Sequence, residues 1–433
     1  KGLQYALDRC LAEGYLDPSV DVELMARLFF TSTGVLMGGN DVVLPEGIEK
    51  INAYAFANLT ALEEIVLPST LESIEYGAFY GCSSLEKITF SGENNLMIIS
   101  QSAFEGCNLQ GTLDLSSICV ISDYAFAGNQ NLEKVVLGKS ILSIGQYAFA
   151  GCKELTSLTF GGNGTATPDT GAITIGTSAF SGNAKLKNLV YESGANVTQI
   201  GANAFANCKA LEEAYIPATV TSVGSSAYSG CTNVSEVTFA PNGKEITFGS
   251  NVFAGCVMLR TVNLPASIQS FAGGVFAGCD ALAEIVVDPA NTKFVSYEGA
   301  LYTKDYSEIL FYPKAKDGDL SKLHKDLKKI GANVFQNHPQ IVNVTISKNI
   351  TYIAAYAFEN CYKLTNITFE AGGTSLYIAN NAFASCDVLK TIELPAYTTY
   401  IGASAFEGTP LTAFTIPESV TALGAKAFKG TKI

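Results

Sequence analysis

The chain has 433 residues, of which 48% are hydrophobic and 15% charged, with a formal net charge of −13. This composition excludes a disordered chain, and no apolar run approaches the roughly 18 residues of a membrane-spanning helix. The acidic balance argues against non-specific binding to nucleic acids or anionic membranes, since both need a cationic surface.

Residues 1–38 show helical periodicity. Leu3, Leu7 and Leu11 recur at helical spacing, as do Met25 and Phe29 further on. The remainder of the chain is a repeat array, and the end of such an array needs a cap. We therefore expect an N-terminal helical cap over residues 1–38. A remnant of an upstream domain is the alternative.

From residue 39 to residue 433 one pattern recurs, mostly every 22 to 25 residues. Each unit contains an aromatic anchor preceded by Ala or Val. An apolar residue stands five positions before each anchor, and Leu, Ile or Val usually stands six positions after it. The anchors are Phe56, Phe79, Phe104, Phe126, Phe149, Phe180, Phe205, Tyr228, Phe253, Phe276, Phe335, Phe358, Phe383, Phe406 and Phe428.

Each column of the repeat has a physical explanation. Ile65 and Leu67 alternate with period two, which predicts a short strand with both side chains inward. Pro68 lacks the N–H that would continue the strand. Gly after the inward Ile, as at Gly145, suits a sharp corner. No unit of this size can bury its own apolar face, so the pattern predicts stacked coils with one continuous core.

The unit LEEIVLPSTLESIEYGAFYGC, residues 62–82, resembles the BspA-like, or treponemal-class, leucine-rich repeat family. The resemblance implies an α/β repeat solenoid: a right-handed superhelix with a parallel sheet on one face and short strands or turns opposite. It further implies a bacterial protein, extracellular or on the cell surface, that binds host matrix proteins or other cells.

The cysteines follow the repeat. Nine of the eleven stand three residues after an anchor, and Asn takes that place at 129 and 183. Such alternation suggests a cysteine ladder that caps backbone groups at a turn. Equivalent side chains in a parallel stack point the same way, which would strain a disulfide. We therefore expect buried free thiols rather than disulfides.

The repeat is interrupted between Phe276 and Phe335. Two apolar runs, residues 300–303 and 308–313, flank Lys304–Ser307 and predict a β-hairpin within an insert at about residues 288–325. The insert is either an edge extension that packs its own aromatic residues or a binding protrusion. The tyrosines that would carry binding are Tyr297, Tyr302, Tyr306 and Tyr312.

The strands of the Ile-x-Leu pattern present a β-branched, mildly acidic outer surface. It contains few aromatic residues, and the candidate binding residues on it are Lys134, Glu213, Tyr215 and Glu236. Sugar-stacking surfaces usually present rows of Tyr or Trp. A surface of this kind suits protein binding through many small contacts, although fold alone does not establish function.

No motif of the sequence indicates catalysis. The Gly138–Ser140 stretch lacks the earlier glycine of a phosphate-binding loop, and His324 and His338 are the only histidines. Asp317 and Asp319 lack the further ligands of a calcium loop. We therefore expect no enzyme activity, no cofactor and no metal. The preferred function is a non-enzymatic binding scaffold for a protein partner, and a glycan-binding module of a gut or oral bacterium is the alternative.

Overall fold

The computed structural model describes residues 41–92, 96–162, 171–241 and 244–433. They form two compact units. The first comprises the residues up to 234 together with 240–256, and the second comprises 235–239 together with 257–433. Within each unit the chain winds into stacked coils. The predicted N-terminal cap at residues 1–38 lies outside the described residues.

Each coil of the first unit contributes one longer strand to a front side and one short strand to a back side. The front strands pair in parallel as β1-β3-β5 and β7-β9-β11-β13. They are β1 (Asp41–Val43), β3 (Glu64–Leu67), β5 (Lys87–Phe90), β7 (Gly111–Leu115), β9 (Leu132–Leu137), β11 (Ser157–Phe160), β13 (Asn188–Tyr191) and β15 (Glu213–Ile216).

The back strands of the first unit form one parallel sheet in chain order. They precede the anchors and bury the apolar residue that stands five positions before each of them. They are β2 (Lys50–Ile51), β4 (Ser73–Ile74), β6 (Ile98–Ile99), β8 (Val120–Ile121), β10 (Ser143–Ile144), β12 (Ile173–Ile175), β14 (Val197–Ile200), β16 (Ser222–Val223) and β18 (Ile246–Phe248).

The second unit repeats this plan with an insert. Its front strands are β17 (Glu236–Phe239), β19 (Thr261–Leu264), β21 (Glu284–Val287), β26 (Asn343–Ile346) and β28 (Asn366–Phe369). Its back strands include β20 (Ile268–Phe271), β22 (Phe294–Tyr297), β23 (Ala300–Thr303), β24 (Glu308–Phe311), β25 (Lys329–Ile330), β27 (Tyr352–Ile353), β29 (Leu376–Ile378), β30 (Thr398–Ile401) and β31 (Ala422–Leu423).

The insert joins the back sheet of the second unit. Strands β22, β23 and β24 pair antiparallel, and β24 then pairs in parallel with β25. Strands β23 and β24 are the segments for which the sequence predicts a hairpin. From β25 to β31 the sheet is parallel and in chain order.

The core of each unit is a stack of anchor rings. From Phe56 to Phe253 the rings of successive coils stack with centroids 4.9–5.7 Å apart. From Phe335 to Phe428 the spacing is 4.8–5.6 Å. A fully buried Phe contributes about 1.5–3 kcal/mol to stability. This stack confirms the predicted core of aromatic anchors.

The anchors lie in turns with a fixed backbone conformation. In all fifteen repeats the residues two before and two after the anchor have left-handed φ, as Asn203 (55°) and Asn207 (61°) do around Phe205. Between these residues the main chain bonds to the next coil: the N–H of Phe205 donates to the oxygen of Ala227 at 2.8 Å. Gly and Asn tolerate this conformation, which explains their frequency at these positions.

The α/β assignment is wrong for the described residues. Their only helix is one 3-10 turn at Leu320–Lys322. The left-handed residues on both sides of each anchor interrupt helical conformation in that turn, and the rest of each coil holds a front strand and a back strand. Glycines at the corners, such as Gly201, are required by close packing between coils and not by a positive φ. Gly201 lacks a positive φ, but a Cβ there would lie 2.6 Å from the carbonyl carbon of Gly176.

Candidate binding surface

Cysteine side chains of the repeat form hydrogen bonds to main-chain oxygens. The Cys82 and Cys361 thiols each donate to the main-chain oxygen of the preceding coil's anchor, at 3.0 Å. Asn129 donates to the oxygen of Phe104 in the same way, at 2.8 Å. All ten cysteines in the described part of the chain are free. Burial raises the pKa of the Cys152 thiol to about 12, which keeps it neutral and unreactive.

The described residues contain no candidate metal centre. Within residues 41–92, 96–162, 171–241 and 244–433, no group of three or more His, Cys, Asp or Glu side chains could hold a metal ion. His338 is buried among apolar residues, and this burial lowers its pKa to about 4. Its Nε2 lies 3.3 Å from the oxygen of Pro313, so the ring occupies the position that Cys has in other coils.

The predicted front-face residues lie where the repeat places them. The side chains of Lys134, Glu213 and Glu236 are exposed on their strands, and Tyr215 is half-buried. The ring of Tyr215 lies 5.8 Å from that of Tyr191. Among these four candidates Tyr215 is the one aromatic residue, and the other three are charged.

The hairpin tyrosines separate into two groups. Tyr302 and Tyr312 are buried, at 1% and 4% exposure, so their rings pack inside the unit. Tyr297 is 37% exposed, and Tyr306 is half-buried with its ring stacked on His324 at 3.9 Å. The packing of Tyr302 and Tyr312 agrees with the edge-extension alternative for most of the insert.

A row of tyrosines follows the outer face of the back sheet in the second unit. Tyr352, Tyr377 and Tyr400, here called the tyrosine row, are paired by strand register. Their rings stack at 4.9 Å and 4.3 Å with interplanar angles of 4° and 11°. All three rings are half-buried, so their edges and hydroxyls face outward.

Lys329 and Glu308 lie next to Tyr352, at one end of the tyrosine row. The Lys329 ammonium lies 5.6 Å from the centre of the Tyr352 ring, a cation–π contact, and 2.9 Å from the carboxylate of Glu308. Partial burial raises the pKa of Tyr377, with a further contribution from its hydrogen bond to Tyr400. The phenol is therefore neutral near pH 7 and can both donate and accept hydrogen bonds.

Reasoning from the sequence missed the tyrosine row, although a signal was present. Each tyrosine stands six residues before an anchor, next to the inward-facing position five before it. Because side chains alternate along a strand, that neighbour must face outward. The outward-facing positions of the back strands were therefore as predictable as those of the front strands.

Similarity to known proteins agrees with this architecture. Residues 39–156, 165–283 and 316–433 match the family described as BspA type leucine rich repeat region, in six copies. This chain belongs to the BspA-type leucine-rich repeat family. The unmatched residues 284–315 contain the antiparallel strands of the insert.

Solved structures that are similar to the BspA-type repeat chain include those of two bacterial proteins. A leucine-rich repeat protein from Bacteroides ovatus ATCC 8483 is 22% identical, with a TM-score of 0.50, and the match covers 90% of this chain and 87% of that one. The pneumococcal vaccine antigen PcpA is 19% identical, with a TM-score of 0.55 and coverage of 91% and 84%. At these identities the likeness establishes the fold.

A search among curated proteins gave no match. In the portion of the BspA-type chain that the structure describes, none of the helical segments is long and apolar enough to cross a membrane.

Proposed function

We propose that this protein is a non-enzymatic binding scaffold of a bacterial cell surface that attaches to host proteins or to other cells. The tyrosine row is the observation that carries the proposal. It presents three ordered aromatic edges and three hydroxyls on a rigid sheet. Tyrosine is enriched at the centres of protein interfaces because it buries apolar area while keeping a polar group available.

The geometry of the row favours a protein partner over a glycan. A pyranose stacks on the face of an aromatic ring, but inside the row the ring faces cover one another. The Lys329 ammonium covers the outer face of Tyr352. Glycan binding therefore remains the second candidate, supported by the outer face of Tyr400 next to the small side chain of Ala422.

A cell-surface location is part of the proposal. The pneumococcal protein of similar fold is a vaccine antigen by its description. Labelling intact source cells with a membrane-impermeant reagent tests this point. Labelling of the protein, with a cytosolic marker left unlabelled, is expected. Equal protection of both would contradict a surface location.

Binding is tested on immobilised fibronectin, laminin and collagen and, in parallel, on a glycan array. The variant carries Tyr352→Ser, Tyr377→Ser and Tyr400→Ser, and the matched control is Tyr362→Ser, a 43% exposed tyrosine outside the row. Loss of hot-spot tyrosines should weaken protein binding roughly 30-fold or more, with the control unchanged. Unchanged binding by the triple variant would exclude the tyrosine row as the binding site. Binding to glycans alone would favour the glycan-binding function.

A further inference from the structure

Two rings of the tyrosine row lie closer together than those of the other stacked tyrosine pairs. The ring centres of Tyr377 and Tyr400 are 4.3 Å apart, and the ring planes differ by 11°. The centres are 4.9 Å apart for Tyr352 and Tyr377 and 5.0 Å apart for Tyr124 and Tyr147. Nearly parallel rings this close place carbon atoms of one ring within about 3.5–4.0 Å of the other, the van der Waals distance. The faces of Tyr377 and Tyr400 are therefore in direct contact.

Strand pairing holds these two rings at this distance. Tyr377 and Tyr400 are partners in the parallel register of β29 and β30. The N–H of Gly402 donates to the oxygen of Ile378 at 2.8 Å, so the two main chains are bonded directly beside the pair. Ile378 and Ile401 are fully buried on the opposite face of the same strands. The rings can turn about their side-chain bonds, but the main chains that carry them cannot separate while the sheet is intact.

The surroundings of the row favour oxidation at Tyr377 and Tyr400 over oxidation at Tyr352. The rings of Tyr377 and Tyr400 are half-buried, so an edge and the hydroxyl of each face outward. The Lys329 ammonium lies 5.6 Å from the centre of the Tyr352 ring. A cation at this distance opposes the loss of an electron from the ring that it faces. Among the described residues, neither Tyr377 nor Tyr400 has such a cation over its ring.

Stacked phenols can be joined by two one-electron oxidations. Each oxidation removes an electron and the phenolic proton, which leaves a radical shared between the oxygen and the ring carbons next to the C–O bond. The unpaired electron on those carbons occupies an orbital perpendicular to the ring, so two such radicals form a C–C bond where their faces meet. The joined carbons then lose their protons and the oxygens regain them, which restores both phenols. With hydrogen peroxide as the oxidant, two hydrogen atoms leave the rings and the peroxide becomes two molecules of water.

We propose that Tyr377 and Tyr400 are an oxidative modification site, at which a haem peroxidase and hydrogen peroxide join the two rings as dityrosine. The new C–C bond connects adjacent coils of the second unit on the outer face of the back sheet. Like a disulfide, it restricts the unfolded chain and thereby stabilises the folded one. The thiols of the described residues provide no such bond, since all ten are free. The cross-link needs no binding partner, so this inference goes beyond the proposed function and can fail independently of it.

The test treats the whole chain with a plant haem peroxidase and hydrogen peroxide, at a low protein concentration that limits contact between copies, and then digests it with trypsin. Tyr377 lies in the tryptic peptide 364–390, and Tyr400 lies in the peptide 391–426. Mass spectrometry should find these two peptides joined, two hydrogen atoms lighter than their sum. Fragment ions should place the bond at Tyr400 and not at Tyr397. The treated protein should gain dityrosine fluorescence, and its urea midpoint should rise above that of the untreated protein.

Tyr400→Phe removes one phenol and keeps the ring stack, so it should abolish the joined peptides and the rise in the urea midpoint. Tyr124→Phe is the matched control, because it changes a stacked tyrosine of the first unit whose ring centre lies 5.0 Å from that of its neighbour. It should leave the joined peptides unchanged. The absence of joined peptides from the unsubstituted chain, or their persistence in Tyr400→Phe, would overturn the proposal. Joined peptides that occur only in covalent dimers would also overturn it, since the bond would then connect two copies.

Discussion

The Cys231 thiol donates a hydrogen bond to the main-chain oxygen of Phe205, 3.1 Å away in the preceding coil. Residues 26 positions apart are thus joined inside the core, next to the ring stack. The same oxygen also accepts from the N–H of Cys208 at 3.2 Å, so the thiol is the second donor to a buried carbonyl, and Asn129 supplies such a donor in a coil without Cys.

Replacing Cys231 with Val removes the donor at similar volume. The buried oxygen of Phe205 then keeps only the N–H of Cys208, 3.2 Å away, and the loss of one hydrogen bond should lower the free energy of unfolding by about 0.5–1.5 kcal/mol. Urea denaturation followed by circular dichroism measures this change. Cys119→Val is the control, because Cys119 is only partly buried and lies outside the column. Equal stability of the two variants would contradict a role for the thiol hydrogen bond.

The thiols should be inaccessible in the folded protein. Burial raises the pKa of Cys152, Cys231 and Cys361 to about 12, so little thiolate exists near neutral pH. A colorimetric thiol reagent at pH 8 should react slowly with the native chain. After denaturation without reductant it should titrate about eleven thiols, the cysteine count of the chain. Finding almost none would mean that the column is disulfide-bonded.

Phe205 lies in the middle of the ring stack, between Phe180 at 5.4 Å and Tyr228 at 5.3 Å. Phe205→Ala removes both contacts and leaves a cavity, so the free energy of unfolding should fall by about 3–5 kcal/mol. Chemical denaturation monitored by circular dichroism measures the loss. A loss below about 1 kcal/mol would contradict the buried anchor.

Tyr124→Asn should stabilise the protein, because Tyr124 has a left-handed φ of 59°. Asn tolerates the left-handed conformation better than Tyr does, so we expect a gain of up to about 1 kcal/mol, reduced by the lost contact with Tyr147. Asn203→Tyr is the reverse change at the equivalent position of another coil. Thermal unfolding of the two variants measures the change in stability for each substitution. Destabilisation of Tyr124→Asn would mean that ring stacking outweighs the backbone strain.

His338 should make stability depend on pH in mild acid. Burial lowers its pKa from 6.5 to about 4. Between these values the unfolded chain binds a proton that the folded chain does not, so stability falls as the pH drops through this range. His338→Asn, which keeps a donor as at Asn129, should flatten this dependence. Unfolding free energies at pH 7, 5.5 and 4.5 test it, and identical slopes for both proteins would contradict the assignment.

Several features could be predicted because they repeat. Fifteen aromatic anchors in register specify stacked coils, an apolar core and parallel strands, since each column must face inward in every coil. The hairpin followed from two apolar runs around a turn. The left-handed backbone conformation two residues before each anchor was harder to predict, because Tyr54 and Tyr124 occupy this position, where Gly, Asn and Ser are more frequent.

The surfaces depended on the tertiary structure. Tyr302 and Tyr312 lie in an insert without a repeat to give their orientation, and only packing against the unit decided that they are buried. Tyr352 and Tyr377 are 25 residues apart in sequence and meet only when coils stack at strand spacing. The repeat, its core and its family can be recognised without a structure, because inward-facing positions recur with a fixed period. The tertiary structure decided which outward-facing side chains come together, because that depends on how coils of unequal length align.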